Sequence, residues 1–175
     1  MKNLIEGEKV FLRQMEIADS DYVVKWRSDN EILKWMKKQD KITLNSHRQW
    51  FSSPKLDRVD YIICDQNTKK PIGTLNFTNI DGQVAEAGKM LGDKAYWGGG
   101  YAKEAFSLWI DFGFKFLKLE KIYIHTREDN VRNIILNQKL GFLKSELSSV
   151  NGDMDETNIF IEMYITKNEF YNESK

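Results

Sequence analysis

From Lys9 to Arg13 the apolar residues Val10 and Leu12 fall on alternate positions, the period of two that a strand with one buried face requires. Asp19 or Ser20 then offers an oxygen to the free N–H groups of a starting helix, whose Tyr22, Val23 and Trp26 recur at helical spacing. Ile32, Leu33 and Met36 extend this spacing over Asn30 to Lys37, and a further short helix is expected around Asn45 to Phe51. From Arg58 the period returns to two. Val59, Tyr61 and Ile63 alternate, Gln66 to Pro71 is a polar turn, Ile72 to Phe77 forms the next strand, and Asp81-Gly82 turns the chain into Val84 to Leu91. These three strands read as an antiparallel meander.

Beyond a run of glycines, Ala102 to Phe116 carries Ala105, Phe106, Trp109, Ile110 and Phe112 on a broad apolar stripe, the pattern of a helix packed on a sheet. Within it Gly113 costs about 1 kcal/mol against alanine. Lys121 to Thr126 is a β-branched strand, Val131 to Leu140 a helix stopped by Gly141, and Phe142 to Thr166 a pair of strands about the turn Asn151-Gly152-Asp153. The succession of strand, helix and strand from Val84 to Thr126 requires a parallel pair with a right-handed crossover. The fold class is therefore α/β (α+β), a mixed central sheet of about seven strands flanked by helices. A chain of 175 residues suits one domain, residues 1–175, with a polar tail over 171–175.

Charge removes several function classes. Lys+Arg and Asp+Glu both number 26, so no bulk field favours nucleic acid or an anionic membrane, and an anionic ligand must be met locally. No apolar run reaches the length of a signal peptide or a membrane span, and a cytoplasmic location is expected. One cysteine, Cys64, and two distant histidines, His47 and His125, give no metal-ligand spacing, so no metal is expected. Cys64, among apolar neighbours, reads as a buried small hydrophobe.

The segment Trp97-Gly98-Gly99-Gly100-Tyr101-Ala102 stands between an expected strand and an expected helix. Glycine allows positive φ and close approach of a ligand to the backbone, and a helix N-terminus favours an anion such as phosphate. A dinucleotide loop would need glycine where Lys103 stands, and a Walker loop would need Lys followed by Ser or Thr, so neither motif fits. A bulge or a cap remains the plain alternative for a glycine run.

Two blocks decide between these readings. Gly100 and Ala102 match the loop pattern of the GNAT superfamily of N-acetyltransferases, with Trp97 in place of its basic or amide residue. Asn130, Asn133, Leu136 and Lys139-Leu140-Gly141-Phe142 resemble a second block of that family. Trp97, with the preceding Glu86 to Asp93, is similar to the branch that acetylates ribosomal protein N-termini. The resemblance implies a sheet splayed between the fourth and fifth expected strands and acetyl-CoA as cosubstrate. It implies that Gly98, Gly99, Gly100, Tyr101 and Ala102 hold the pyrophosphate beside Trp97. By the same resemblance Met90, Leu91 and Gly92 pair with the pantetheine arm, and Asn130 bonds the cofactor. Asn130 also suits an N-cap.

An alkyl ammonium must lose a proton before it attacks a thioester. By the same family resemblance Glu86, on the fourth expected strand, is the candidate base, although an exposed or ion-paired strand glutamate is the common structural role. The family's usual tyrosine acid is replaced by Asn137, grouped with the cofactor site, which leaves proton delivery to water or to Tyr101, Tyr123 or Tyr164. His125 could act as a base or be structural. Trp26-Arg27 and His47-x-x-Trp50-Phe51 join aromatic and polar groups and are the candidate acceptor residues; the alternative is an amphipathic packing in which Arg27 and His47 face water. They are similar to relatives acting on nucleotide-linked amino sugars, so a small-molecule amine is the expected acceptor. An N-terminal protein acetyltransferase, a non-catalytic acetyl-CoA sensor and a homodimeric interaction module stand as alternatives.

Overall fold

The computed structural model describes residues 4–151 and 159–172. Eight strands form one sheet: β1 (Leu4–Glu6), β2 (Val10–Gln14), β3 (Val59–Asp65), β4 (Pro71–Asp81), β5 (Val84–Leu91), β6 (Lys121–Arg127), β7 (Leu143–Asn151) and β8 (Ile159–Thr166). Their order is β1-β2-β3-β4-β5-β6-β8-β7. The helices are α1 (Ser20–Arg27), α2 (Asn30–Leu33), α3 (Leu44–Ser52), α4 (Tyr101–Lys115), α5 (Val131–Gln138) and α6 (Lys167–Asn172).

Every strand pair is antiparallel except β5 with β6, which is parallel as the strand–helix–strand succession requires. That parallel pairing covers only Val84–Lys121, Ala85–Ile122 and Glu86–Tyr123. Beyond it the two strands no longer pair with each other, although β5 continues on β4 to Leu91 and β6 on β8 to Arg127, so the sheet opens at the expected place. The strand count exceeds the expected seven because β1 joins the edge. Its single buried residue, Ile5, lies among charged neighbours too few in period to signal a strand.

Alternation sends Val10, Leu12, Tyr61, Ile63, Leu75, Phe77, Ala85, Ala87, Ile122 and Ile124 to one face, where α4 and α5 pack. Trp109 of α4 is fully buried, stacks on Phe77 at 4.6 Å between ring centres, and donates from Nε1 to the Asn76 carbonyl at 3.0 Å. The cost expected of Gly113 has a physical return, for a Cβ there would press on the Phe77 ring and on Ile122. The other face carries a smaller cluster of Met15, Val23, Trp26, Ile32, Ile62, Cys64 and Met90 beneath α1, α2 and α3. Burial raises the Cys64 thiol pKa, in keeping with an inert residue.

Three local expectations are corrected. Neither Asp19 nor Ser20 caps α1. The Asp19 carboxylate accepts two bonds from Arg13, at 2.7 and 2.6 Å, and one from the Glu16 N–H, while Ser20 Oγ donates to the Ile17 carbonyl. The helix expected over Asn30 to Lys37 ends at Leu33. Arg127 claims the Lys34 carbonyl and Arg27 the Lys38 carbonyl, and this drawn-out segment folds over the end of β6. His47 does not face water; it is buried and bonds Ser20 Oγ through Nδ1 at 3.0 Å, tying α3 to α1. The turn Asn151-Gly152-Asp153 lies outside the described residues from position 152. Tyr171 belongs to α6, where its hydroxyl donates to Asp111 at 2.9 Å.

Candidate active site

The loop before α4 takes the form that its glycines permit. Gly98 and Gly100 have φ of 87° and 84°, and Gly100 stands at the N-cap without a side-chain cap bond. The first N–H groups of a helix of 15 residues therefore point outward with the positive end of its dipole. Trp97 bends back so that its indole N–H donates to the Leu91 carbonyl at 2.9 Å, fastening the loop to the end of β5. Two cations flank this cradle. Lys9 Nζ donates to the Gly99 carbonyl at 3.0 Å, and Arg132 lies over the Trp97 ring at 5.9 Å. A Cβ on Gly98 would lie 3.8 Å from Arg132 and one on Gly100 3.8 Å from Lys9. Open amides between two cations fit a pyrophosphate. Lys9 and Arg132 were missed in the sequence, since neither lies in the glycine run and only the fold brings them to it.

The opening of the sheet has two unlike walls. On the face of α1 to α3, Glu86 sits at the last parallel pair, with Oε1 2.8 Å from His125 Nδ1 and Oε2 accepting from Asn79 Nδ2 at 2.9 Å. A carboxylate only accepts, so Nδ1 carries a proton, and Nε2 lies 3.7 Å from the Glu162 carboxylate. Burial pushes the Glu86 pKa upward, but the hydrogen bond and charge of His125, with Lys37 and Asn79, bring it below the usual value. Tyr123 and Tyr164 are register partners on this same face, and burial followed by the charge of Glu86 raises the Tyr123 hydroxyl pKa. Of the sequence candidates, the structure thus joins Glu86 to His125.

On the face of α4 and α5, Lys89 of β5 extends toward Asn137 and donates to its Oδ1 at 2.5 Å, with Nζ 4.0 Å from the centre of the Phe106 ring. Asn137 is fully buried, and its Nδ2 turns to Met163 Sδ at 3.8 Å. Burial lowers the Lys89 pKa to about 7. Asn130 is the N-cap of α5 and accepts from the Asn133 N–H at 3.2 Å. Met90 and Leu91 lie on the unpaired stretch of β5, and the Gly92 N–H bonds Ile72.

The acceptor candidates divide. The Trp26 ring lies against the backbone of Gly92, beside the unpaired stretch of β5. Arg27 reaches the Lys38 carbonyl, its Nε is buried without a hydrogen-bond partner among the described residues, and burial lowers its pKa. Trp50 and Phe51 line a cleft of about 180 Å³ with Met15, Arg58 and Asp60, a lining that does not include Glu86 or His125. Lys37, which the sequence did not single out, comes near enough to Glu86 for its charge to lower that pKa, while Arg127 at the end of β6 is held by Asp129, at 2.9 and 2.7 Å, and by the Lys34 carbonyl. No group of three or more potential metal ligands forms among the described residues, and no described helix is long and apolar enough to cross a membrane.

A model of the acetyltransferase (GNAT) domain matches residues 9–143. The chain belongs to the GNAT acetyltransferase family, and its enzyme class is acetyl-CoA-dependent N-acetyltransferase. It is 32% identical over 149 residues to an uncharacterized N-acetyltransferase, p20, of Bacillus licheniformis, covering 80% of this chain and 82% of that one. An uncharacterized protein of Methanocaldococcus jannaschii is 28% identical over 161 residues, 90% of this chain, which spans only 33% of that longer protein. In fold, the chain is similar to a spermidine N-acetyltransferase of Vibrio cholerae solved with CoA and spermine, at TM-score 0.87 and 18% identity, covering 95% of this chain and all of that one. A GNAT-family acetyltransferase of Bacillus anthracis follows at TM-score 0.82 and 20% identity, covering 95% and 99%.

Proposed function

We propose that this protein moves an acetyl group directly from acetyl-CoA to the primary amine of a small molecule, with the Glu86–His125 pair receiving the proton of the incoming ammonium. The observation that carries the reading is the 2.8 Å Glu86–His125 bond at the last pair before the sheet opens. Glu86 holds Nδ1 protonated, which leaves Nε2 to accept the proton of the incoming ammonium. The freed amine then attacks the thioester carbonyl, and an N–H on the unpaired edge of β5 is suitably placed to bond the developing oxyanion. Amides of Gly98 to Ala102, with Lys9 and Arg132, bind the pyrophosphate, while Met90 to Gly92 meet the pantetheine arm and Asn130 adds a polar contact. Holding both reactants in line supplies much of the rate.

For the acceptor we favour an amine that also carries an anionic group, such as a nucleotide-linked amino sugar. Lys37 acts on Glu86 across the entry side of the opening and suits a phosphate or carboxylate. Trp50 and Phe51 contribute through the neighbouring cleft, and the buried Trp26 and His47, with Arg27, support that wall from behind. A polyamine is the second reading, favoured by the likeness in fold to a spermidine acetyltransferase and by the carboxylates of Glu86 and Glu162.

The test is release of free thiol from acetyl-CoA against nucleotide-linked amino sugars, free amino sugars, polyamines and N-terminal peptides. Turnover is expected with the first class. In Glu86→Gln and His125→Gln, kcat should fall by roughly 10²-fold with unchanged coenzyme A affinity. Full activity in both variants would remove the pair from the mechanism, and turnover on polyamines alone would replace the acceptor.

A further inference from the structure

The reaction releases a thiolate on the side of the sheet opposite the incoming amine, and the residue at the family's usual acid position, Asn137, has no acidic proton to give. The three candidate tyrosines stand elsewhere. Tyr123 and Tyr164 lie on the Glu86 face, and Tyr101 opens α4, packed edge-on against Tyr96 with ring centres 5.0 Å apart. What the structure does place beside Asn137 is an amine.

We infer that Lys89 is the proton donor to the departing coenzyme A thiolate, held for that task by Asn137 and the Phe106 ring; this rests on the acetyl-transfer reading above. Lys89 lies three residues beyond Glu86, on the unpaired stretch of β5, and alternation turns its side chain to the opposite face. The Glu86–His125 pair and Lys89 therefore flank the same opening from its two sides. Asn137 Oδ1 fixes the ammonium at 2.5 Å, and Asn137 is itself oriented by Met163 and by backbone bonds from Leu140 and Phe142. From α4 comes Phe106, from β4 the register partner Leu75, and no charged side chain contributes to the shift of the lysine. An ammonium enclosed without a counter-charge releases its proton readily, and burial of the Lys89 amine accordingly brings its pKa to about 7.

The step balances. The tetrahedral adduct collapses, the C–S bond breaks, and its electron pair remains on sulfur, which takes a proton from Lys89 Nζ. Neutral Lys89 regains a proton from water. Over the whole cycle the acceptor ammonium gives up two protons, one of which is balanced by the new S–H and one of which leaves to solvent.

Protonated Lys89 is required, so kcat in the wild type should decline as pH rises through about 7, the value that its burial gives. In Lys89→Met that alkaline decline should vanish, with kcat lowered roughly 10- to 100-fold at neutral pH and acetyl-CoA affinity retained. Asn137→Asp, which faces the ammonium with a negative charge, should move the decline to higher pH. Nitrogen-15 NMR of the lysine ζ-nitrogens in the unliganded wild type needs no turnover, and should show one group titrating near 7 that is missing from Lys89→Met. An ordinary lysine titration near 10, an alkaline decline that persists in Lys89→Met, or a stable acetyl adduct on Lys89 after incubation with acetyl-CoA would each overturn the assignment. Absence of turnover in a wild type that binds acetyl-CoA would instead overturn the acetyl-transfer reading, whatever the lysine titration shows.

Discussion

The two faces of the sheet are built by different means. Beneath α4, stacked rings of Phe77, Trp109 and Phe112 and the pair Phe106–Phe142 fill a broad core, and Phe106 also forms part of the Lys89 pocket. Beneath α1 to α3 the apolar cluster is small, and polar bonds make up the difference: Arg13 to Asp19, His47 to Ser20, Arg27 to Lys38 and Arg127 to Lys34. A close-packed aromatic layer has few alternative arrangements, whereas short helices tied by individual bonds can be rearranged singly. The lesson is a division of labour. A rigid wall suits a constant cosubstrate, and an adjustable wall suits a variable acceptor.

The comparison is broken most directly by Trp109→Ala, which deletes a fully buried stacked ring and its bond to Asn76. Unfolding free energy should drop by about 3–5 kcal/mol, read from the urea midpoint. A small loss would mean that the aromatic layer is not what stiffens this face. Gly100→Val comes next, because its φ of 84° is unfavourable for a branched side chain at the mouth of the glycine cradle. Strain of about 1–3 kcal/mol should appear as coenzyme A binding weakened by one to two orders of magnitude in calorimetry. The smallest effect belongs to α3. Thr43 caps it in a reciprocal box with Ser46, and Thr43→Ala should cost about 1 kcal/mol in thermal unfolding, with the acceptor KM changing more than coenzyme A affinity. Equal effects on both ligands would erase the distinction between the walls.

Periodicity made the central meander, α4 and the β5–β6 crossover legible, because each needs one side chain in two or in three to four to be apolar. The resemblance carried by Gly100, Ala102 and the Asn130 to Phe142 block located the loop and the opening. What stayed hidden depends on distant partners. Lys9 gains meaning only when β2 brings it to Gly99, and Lys89 only when α5 delivers Asn137 to it. Asp19 reads as a helix cap until Arg13 competes for it, and α2 reads long until two guanidinium groups take its following carbonyls. Glu86 was readable as a candidate base by its strand position; its histidine partner required the register of β6 beside β5.

The tie between Lys9 and the glycine loop also bears on how the molecule is made. Its ends are 90 residues apart in the chain, and the same lysine's backbone N–H is held by Glu104 of α4 at 2.9 Å. Such a contact forms only after a long loop has closed, at an entropic cost paid late in folding. The glycine cradle is thus assembled from a residue at the start of β2 and a helix made much later, and an emerging chain that has completed only the meander still lacks it.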